Sequence, residues 1–271
     1  MDRLPFSKLQ GTGNDFVIVD NRENIFEAFC KGIPEREAVK RICSRRTGVG
    51  ADGLILIETS NIANFRWRFF NSDGSVAEMC GNGARCAARF AKEKGIAPDK
   101  MKFETLAGII EAEVKGRSVK VKLSKPKDLK QNIKVCGLTG HFINTGVPHF
   151  VVFADRVDLV NVKELGRKIR NDELFKPNGT NVNFAEVRLD RILVRTYERG
   201  VEDETLACGT GSVASALIAA KVFNLSSPVT VETRSGERLK VYFDEDFEEV
   251  FLEGETVYVY EGELRRELLD G

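Results

Sequence analysis

The 271 residues include only two histidines, His141 and His149, and contain no Cys-x-x-Cys pair. That scarcity argues against a zinc site, which draws on closely spaced cysteine and histidine ligands. An excess of charge is missing too, since Lys+Arg 41 balance Asp+Glu 41. Such a chain carries no general field for nucleic acid or for an anionic membrane. The one local basic run, Lys120 to Lys134, has alternating Val119, Val121 and Leu123 followed by Pro126, and reads as a solvated strand entering a linker. The longest uncharged stretch, Gly137 to Ala154, is broken by Gly, Asn, Thr and Pro, so no segment is expected to span a membrane. Met1 to Phe16 has no apolar core of the kind a secretory signal needs, and a soluble cytoplasmic protein is expected. Gly11-Thr12-Gly13-Asn14 lacks the third glycine of a dinucleotide loop and any Gly-Lys-Ser/Thr ending.

Six cysteines are present, in a chain large enough to fold without disulfide staples. Two stand apart. Cys80-Gly81-Asn82-Gly83 and Cys208-Gly209-Thr210-Gly211 each lead into an alanine-rich helical segment, and those segments stop at Gly95 and Asn224, both suited to a helix C-cap. The separation, 208 − 80 = 128, returns further on: Glu104-Thr105 matches Glu232-Thr233, and Gly108 matches Gly236. One unit present twice is the reading that follows. Its expected halves are 1–124 plus 257–271, containing Cys80, and 125–256, containing Cys208.

Strands are expected at Phe16 to Val19, Leu54 to Glu58 and Phe65 to Phe70, with a helix over Pro34 to Cys43. The second copy repeats the order: Phe150 to Phe153, a helix near Val162 to Arg170, Val182 to Val187, and Ile192 to Tyr197 ending at Glu198-Arg199-Gly200. A last strand, Val257 to Tyr260, lies beyond the repeat and is expected to complete the first half's sheet. The segment Ser212 to Ala220 is apolar or small on every side and should be buried. Arg85, Arg89, Lys92 and Lys94 give the first cysteine helix a side expected to face solvent. Together these describe an α/β (α+β) protein with helices held against curved sheets.

A cysteine at a helix start sits where unpaired N–H groups and the positive end of the helix dipole converge, which favours the thiolate. The same N–H groups can hold a carboxylate. A thiol in that setting can also be a small packing residue, but its duplication at a constant offset favours a reaction with two opposed proton carriers. Cys30, Cys43, Cys86 and Cys136 lack the Gly-x-Gly context and read as packing residues. His149, after Gly146-Val147-Pro148, is either a turn histidine or a functional one. Arg199 is the repeat partner of Asn71, because 199 − 128 = 71.

Gly11-Thr-Gly-Asn-Asp-Phe16, Asn71-Ser-Asp-Gly-Ser75, Met79-Cys-Gly-Asn-Gly-Ala-Arg-Cys86, Gly179-Thr-Asn-Val182, Glu198-Arg-Gly200 and Ala207-Cys-Gly-Thr-Gly-Ser212 occur in order along essentially the whole chain. Together they resemble the diaminopimelate epimerase family. The resemblance implies two pseudo-symmetric α/β domains, each a curved, mostly antiparallel sheet wrapped around a central helix. It also implies a homodimer and no cofactor, and the scarcity of histidine leaves no metal expected. Cys80 and Cys208 would be the acid–base pair, with His149 and Glu198 tuning the thiols. Gly81, Asn82, Gly209 and Thr210 would hold the carboxylate at the reacting carbon. Asn14, Asn71, Asn181, Glu198 and Arg199 would bind the rest of the substrate. Val147 and Gly53 depart from the Asn and Gln that many relatives carry, and the Glu198–Cys208 segment is one residue longer than in much of the family.

The implied activity is conversion of LL- to meso-diaminopimelate for lysine and peptidoglycan precursors. A proline or hydroxyproline racemase of the same fold, and a redox-responsive binding protein, are the alternatives.

Overall fold

The computed structural model describes residues 1–270, which divide into two compact units: Met1–Val121 with the segment from Glu255 onward, and Lys122–Gly254. The first begins with β1 (Arg3–Gly11) and β2 (Asn14–Asp20), followed by α1 (Ile25–Phe29), α2 (Glu35–Cys43), β3 (Gly53–Glu58), β4 (Phe65–Asn71) and β5 (Val76–Ala77). Then come α3 (Gly81–Glu93), β6 (Lys100–Thr105), β7 (Gly108–Lys115) and β8 (Ser118–Leu123).

The second unit opens with β9 (Lys127–Val135), β10 (Leu138–Asn144) and β11 (Pro148–Phe153), then α4 (Val162–Arg170), β12 (Asn181–Val187) and β13 (Ile192–Glu198). It continues with β14 (Asp203–Thr205), α5 (Gly209–Phe223), β15 (Val229–Glu232), β16 (Arg238–Phe243) and β17 (Val250–Glu255). The chain then returns as β18 (Val257–Arg265), which pairs antiparallel with β1 along its length.

Both units use one topology. In the first, β2 and β3 are parallel across the α1–α2 crossover, β4 and β6 are parallel across α3, and the remaining pairings are antiparallel. In the second, β11 and β12 are parallel across α4, and β13 and β15 are parallel across α5. Parallel neighbours need such crossovers, and the helices they carry cover both faces of the sheet. That is why β3, Gly-Leu-Ile-Leu-Ile-Glu, is buried at every position. Its Leu54 and Leu56 pack with Val17, Val19, Phe26, Phe29, Val39 and Ile42 on the α1–α2 side. Alternate residues face the other way, where the Ile55 side chain lies beside Gly83 of α3.

The central helices fill the concave faces. α5 packs against β10, β11, β12, β13, β15 and β16, and Gly211 through Ala220 are all buried. With no polar face to turn outward, its two serine hydroxyls bond back to the helix: Ser212 to the Cys208 carbonyl at 3.0 Å and Ser215 to the Gly211 carbonyl at 2.8 Å. Asn224 in the left-handed conformation, φ 56°, stops it.

α3 departs from the amphipathic expectation. Arg85 is fully buried, and the Arg89 side chain is only 12% exposed. Each guanidinium finds partners inside. Arg85 donates to Thr12 and Asn82, while Arg89 pairs with Glu93, donates to the Thr256 carbonyl and lies over the Tyr258 ring. Only Lys92, Glu93 and Lys94, at the C-terminal end, face solvent.

Candidate active site

Cys80 and Cys208 are the N-caps of α3 and α5, both with extended backbone, φ −145° and −130°. An N-cap side chain faces the unpaired N–H groups of the first turn. The Cys80 sulfur accepts a hydrogen bond from the Gly83 N–H at 3.4 Å. Gly81 and Asn82 follow it in the buried first turn of α3.

Asn82 donates from Nδ2 to Asn14 Oδ1 at 2.6 Å, and Asn14 donates from Nδ2 to Asp52 Oδ2 at 2.9 Å. Two of the expected substrate ligands are therefore in direct contact, held by an aspartate that motif reading passed over. Asp15, beside Asp52, is raised by burial, but hydrogen bonds from Arg45 and Lys8 outweigh that and bring its pKa down to about 2. Asn71 ends β4 as the strand partner of Gly53, next in sequence to Asp52, and its side chain donates to Ser75 Oγ at 3.0 Å.

In the second unit the Cys208 sulfur lies 3.5 Å from the Thr210 hydroxyl, which in turn is 2.9 Å from His149 Nε2. His149 is fully buried, and burial, reinforced by the positive charge of Arg199, pushes its pKa down to about 3. The ring is neutral at pH 7, so one nitrogen donates and the other accepts. Asn183 decides which. Thr196 donates to Asn183 Oδ1 at 2.9 Å, so the amide presents Nδ2 to His149 Nδ1 at 3.1 Å. Nδ1 accepts, Nε2 carries the proton and donates to Thr210, and the threonine hydrogen is left for the Cys208 sulfur.

Asn183 was missing from the sequence expectation because it sits inside a buried strand without motif context. Gly211 matters for the same contact: a Cβ there would lie 2.3 Å from Asn183 Oδ1.

Asn181 accepts from the Arg199 backbone N–H at 2.8 Å and donates to the Pro148 carbonyl at 3.0 Å, so it braces the start of β11, just before His149, against the end of β13. Arg199 donates to the Asn178 carbonyl at 3.2 Å, and Glu198 accepts from the Thr205 hydroxyl at 2.9 Å. Gly209 and Thr210 begin α5. The other cysteines differ. Burial pushes the Cys30 and Cys43 thiols up to about 12, which suits packing residues. Cys136 corrects the packing expectation, because it is exposed in the β9–β10 turn with φ 50°.

A family model named Diaminopimelate epimerase matches residues 6–128 and 141–259. Over 278 residues the chain is 55% identical to the diaminopimelate epimerase of Aquifex aeolicus (strain VF5), covering 98% of this chain and all of that protein. The chain belongs to the diaminopimelate epimerase family. Two solved structures share the fold at low identity. A Bacillus anthracis phenazine biosynthesis protein of the PhzF family superposes with TM-score 0.73 at 18% identity, covering 97% of this chain and 99% of that one. A hydroxyproline epimerase from Agrobacterium vitis does so with TM-score 0.70 at 13% identity, covering 98% and 94%. Members of this epimerase family are isomerases by name. Among the described residues no cluster of three or more His, Cys, Asp or Glu could hold a metal, and no helix is long and apolar enough to cross a membrane.

Proposed function

We propose that the protein epimerises LL-diaminopimelate to meso-diaminopimelate by a two-base reaction without a cofactor, using Cys80 and Cys208 as the proton carriers. The observation that carries the reading is the repeated placement of these cysteines at the N-caps of buried helices, one in each unit, in a member of this family. One thiolate removes the α-proton while the other cysteine, as a thiol, delivers a proton to the opposite face of the carbon. N–H groups at the two helix starts hold the substrate carboxylate and the charge that develops on it.

The Thr210 hydroxyl, turned by neutral His149, stabilises the Cys208 thiolate, and Glu198 tunes the thiol chemistry. Asn82, beside Gly81, belongs to the group at the carboxylate of the reacting carbon, and Asn14, Asn71, Asn181, Glu198 and Arg199 bind the polar groups of the substrate beyond it. A homodimer in the cytoplasm, feeding lysine and peptidoglycan synthesis, belongs to the same reading, and sedimentation velocity tests the dimer.

The decisive experiment follows hydrogen in heavy water. Separate carriers on opposite faces put solvent deuterium into the product from the first turnover and leave early recovered substrate nearly free of it. Cys80→Ala and Cys208→Ala are each expected to abolish epimerisation. Rapid exchange into unconverted substrate, or substantial turnover in either variant, would refute the assignment of both cysteines. Optical rotation measured with proline and hydroxyproline separates the reading from the neighbouring racemase activities.

A further inference from the structure

The first unit contains a hydrogen-bond chain whose direction is set at both ends. Arg85, fully buried, donates from Nη2 to Thr12 Oγ1 at 2.6 Å and to Asn82 Oδ1 at 2.9 Å. A guanidinium only donates, so the Asn82 oxygen must face it. Asn82 Nδ2 then faces Asn14 Oδ1 at 2.6 Å, and Asn14 Nδ2 faces Asp52 Oδ2 at 2.9 Å. An ionised carboxylate only accepts. Reversing either amide would set N–H against guanidinium or oxygen against carboxylate, and would sacrifice a charge-assisted bond.

Asp52 is itself held in place. Its carboxylate accepts from Arg45 at 2.7 Å and from the Asp15 backbone N–H at 3.2 Å, while its own N–H donates to Asp15 Oδ1 at 3.0 Å. Each asparagine amide has two N–H bonds and commits one of them within the chain, which leaves one on each side chain for a ligand's acceptor.

The second unit has no equivalent. At the 128-residue offset, Thr210 replaces Asn82 and Val213 replaces Arg85. The repeat therefore supplies similar helix starts, but only the first is backed by a buried cation and a directed pair of amides.

We infer that Asp52 and Arg85 are positioning residues that, from opposite ends of this chain, fix Asn14 and Asn82 with an N–H of each directed to a carboxylate of the substrate. The inference rests on the proposed epimerase reading, in which both asparagines contact substrate. Arg85 and Asp52 never need to touch the ligand. Their role is to keep the two amides from presenting oxygen where an anion binds.

Steady-state kinetics on diaminopimelate, with thermal melting of the same samples, test it. Arg85→Lys keeps a donor-only cation and is expected to leave KM within about threefold of the parent. Arg85→Gln and Asp52→Asn introduce groups that can both donate and accept, so the chain can reverse. Each is expected to raise KM about tenfold with kcat within about threefold, the pattern of lost ground-state binding on the scale of one charge-assisted bond.

A merely structural role would lower the melting temperature and the active fraction while leaving KM unchanged, and that result overturns the inference. Failure of both Asp52→Asn and Arg85→Gln to fold also overturns it, because it assigns the pair to stability. An inactive parent protein sinks the epimerase reading itself, whereas an active parent with unchanged KM in Asp52→Asn sinks only the positioning role.

Discussion

Lowering the pH from 7 to 5 should destabilise the protein through His149, and the size of the effect follows from its burial. The folded pKa is about 3, against 6.5 for a free histidine. Between those values the unfolded chain binds a proton on this ring and the folded chain does not. Stability from this group is therefore present in full above pH 6.5 and is lost as the pH falls toward 3. At about 1.36 kcal/mol per pKa unit, the loss between pH 7 and pH 5 is about 2 kcal/mol.

Urea unfolding followed by far-ultraviolet circular dichroism at the two pH values measures it, with His149→Gln as the reference. Burial also lowers His141, with the same sign, but that contribution is common to parent and variant and cancels in the difference. Asp15, depressed from 3.8 to about 2, loses its contribution below this pH range. The parent should lose about 2 kcal/mol more than His149→Gln. Equal losses would show that the ring protonates readily in the folded state, and would remove the basis for assigning Nε2 as a donor to Thr210. Because the chain has two histidines, the imidazole spectrum of histidine-labelled protein supplies an independent check. One ring should remain in the neutral Nε2-protonated form at pH 5.

Two further outcomes concern the same relay. Thr210→Val removes the hydroxyl that lies 3.5 Å from the Cys208 sulfur, and kcat should fall by about tenfold to a hundredfold, the range for a hydrogen bond to a charged group. Alkylation of Cys208, followed against pH by peptide mapping, should shift to higher pH in that variant, and an unchanged profile would count against the hydroxyl as a thiolate donor. Gly211→Ala would force a methyl group to within 2.3 Å of Asn183 Oδ1, so a stability loss of about 1–3 kcal/mol is expected together with reduced turnover. Parent-like stability and rate in Gly211→Ala would show that Asn183 can move without disturbing His149.

What was legible in the sequence followed from local chemistry. Cys80 and Cys208 could be placed at helix starts because glycines flank them and small residues follow, and α3 and α5 begin at Gly81 and Gly209. Alternation and apolar runs located β3, β4, β12 and β13 within a residue or two, and Asn224 marked the end of α5 because it tolerates the left-handed turn there. Partners distant along the chain left no such mark. Arg85 looked like part of a solvent-facing side, since an arginine in a helical segment carries no label for a guanidinium satisfied by Thr12, 73 residues away. Asp52 and Asn183 were passed over because their importance lies in direction, the one only accepting from Asn14 and the other deciding which nitrogen of His149 donates.

Cys136 shows the converse error. Lacking a glycine pattern in front of it, it was grouped with the buried thiols, yet the following Gly137 is part of a tight turn that leaves the sulfur outside. In each case residue type was read correctly and the environment was not. A buried polar group is tolerated only when its donors and acceptors are matched, and such matches depend on strand pairing and helix docking. The residues hardest to find from sequence are therefore those on which the orientation of the expected site side chains depends.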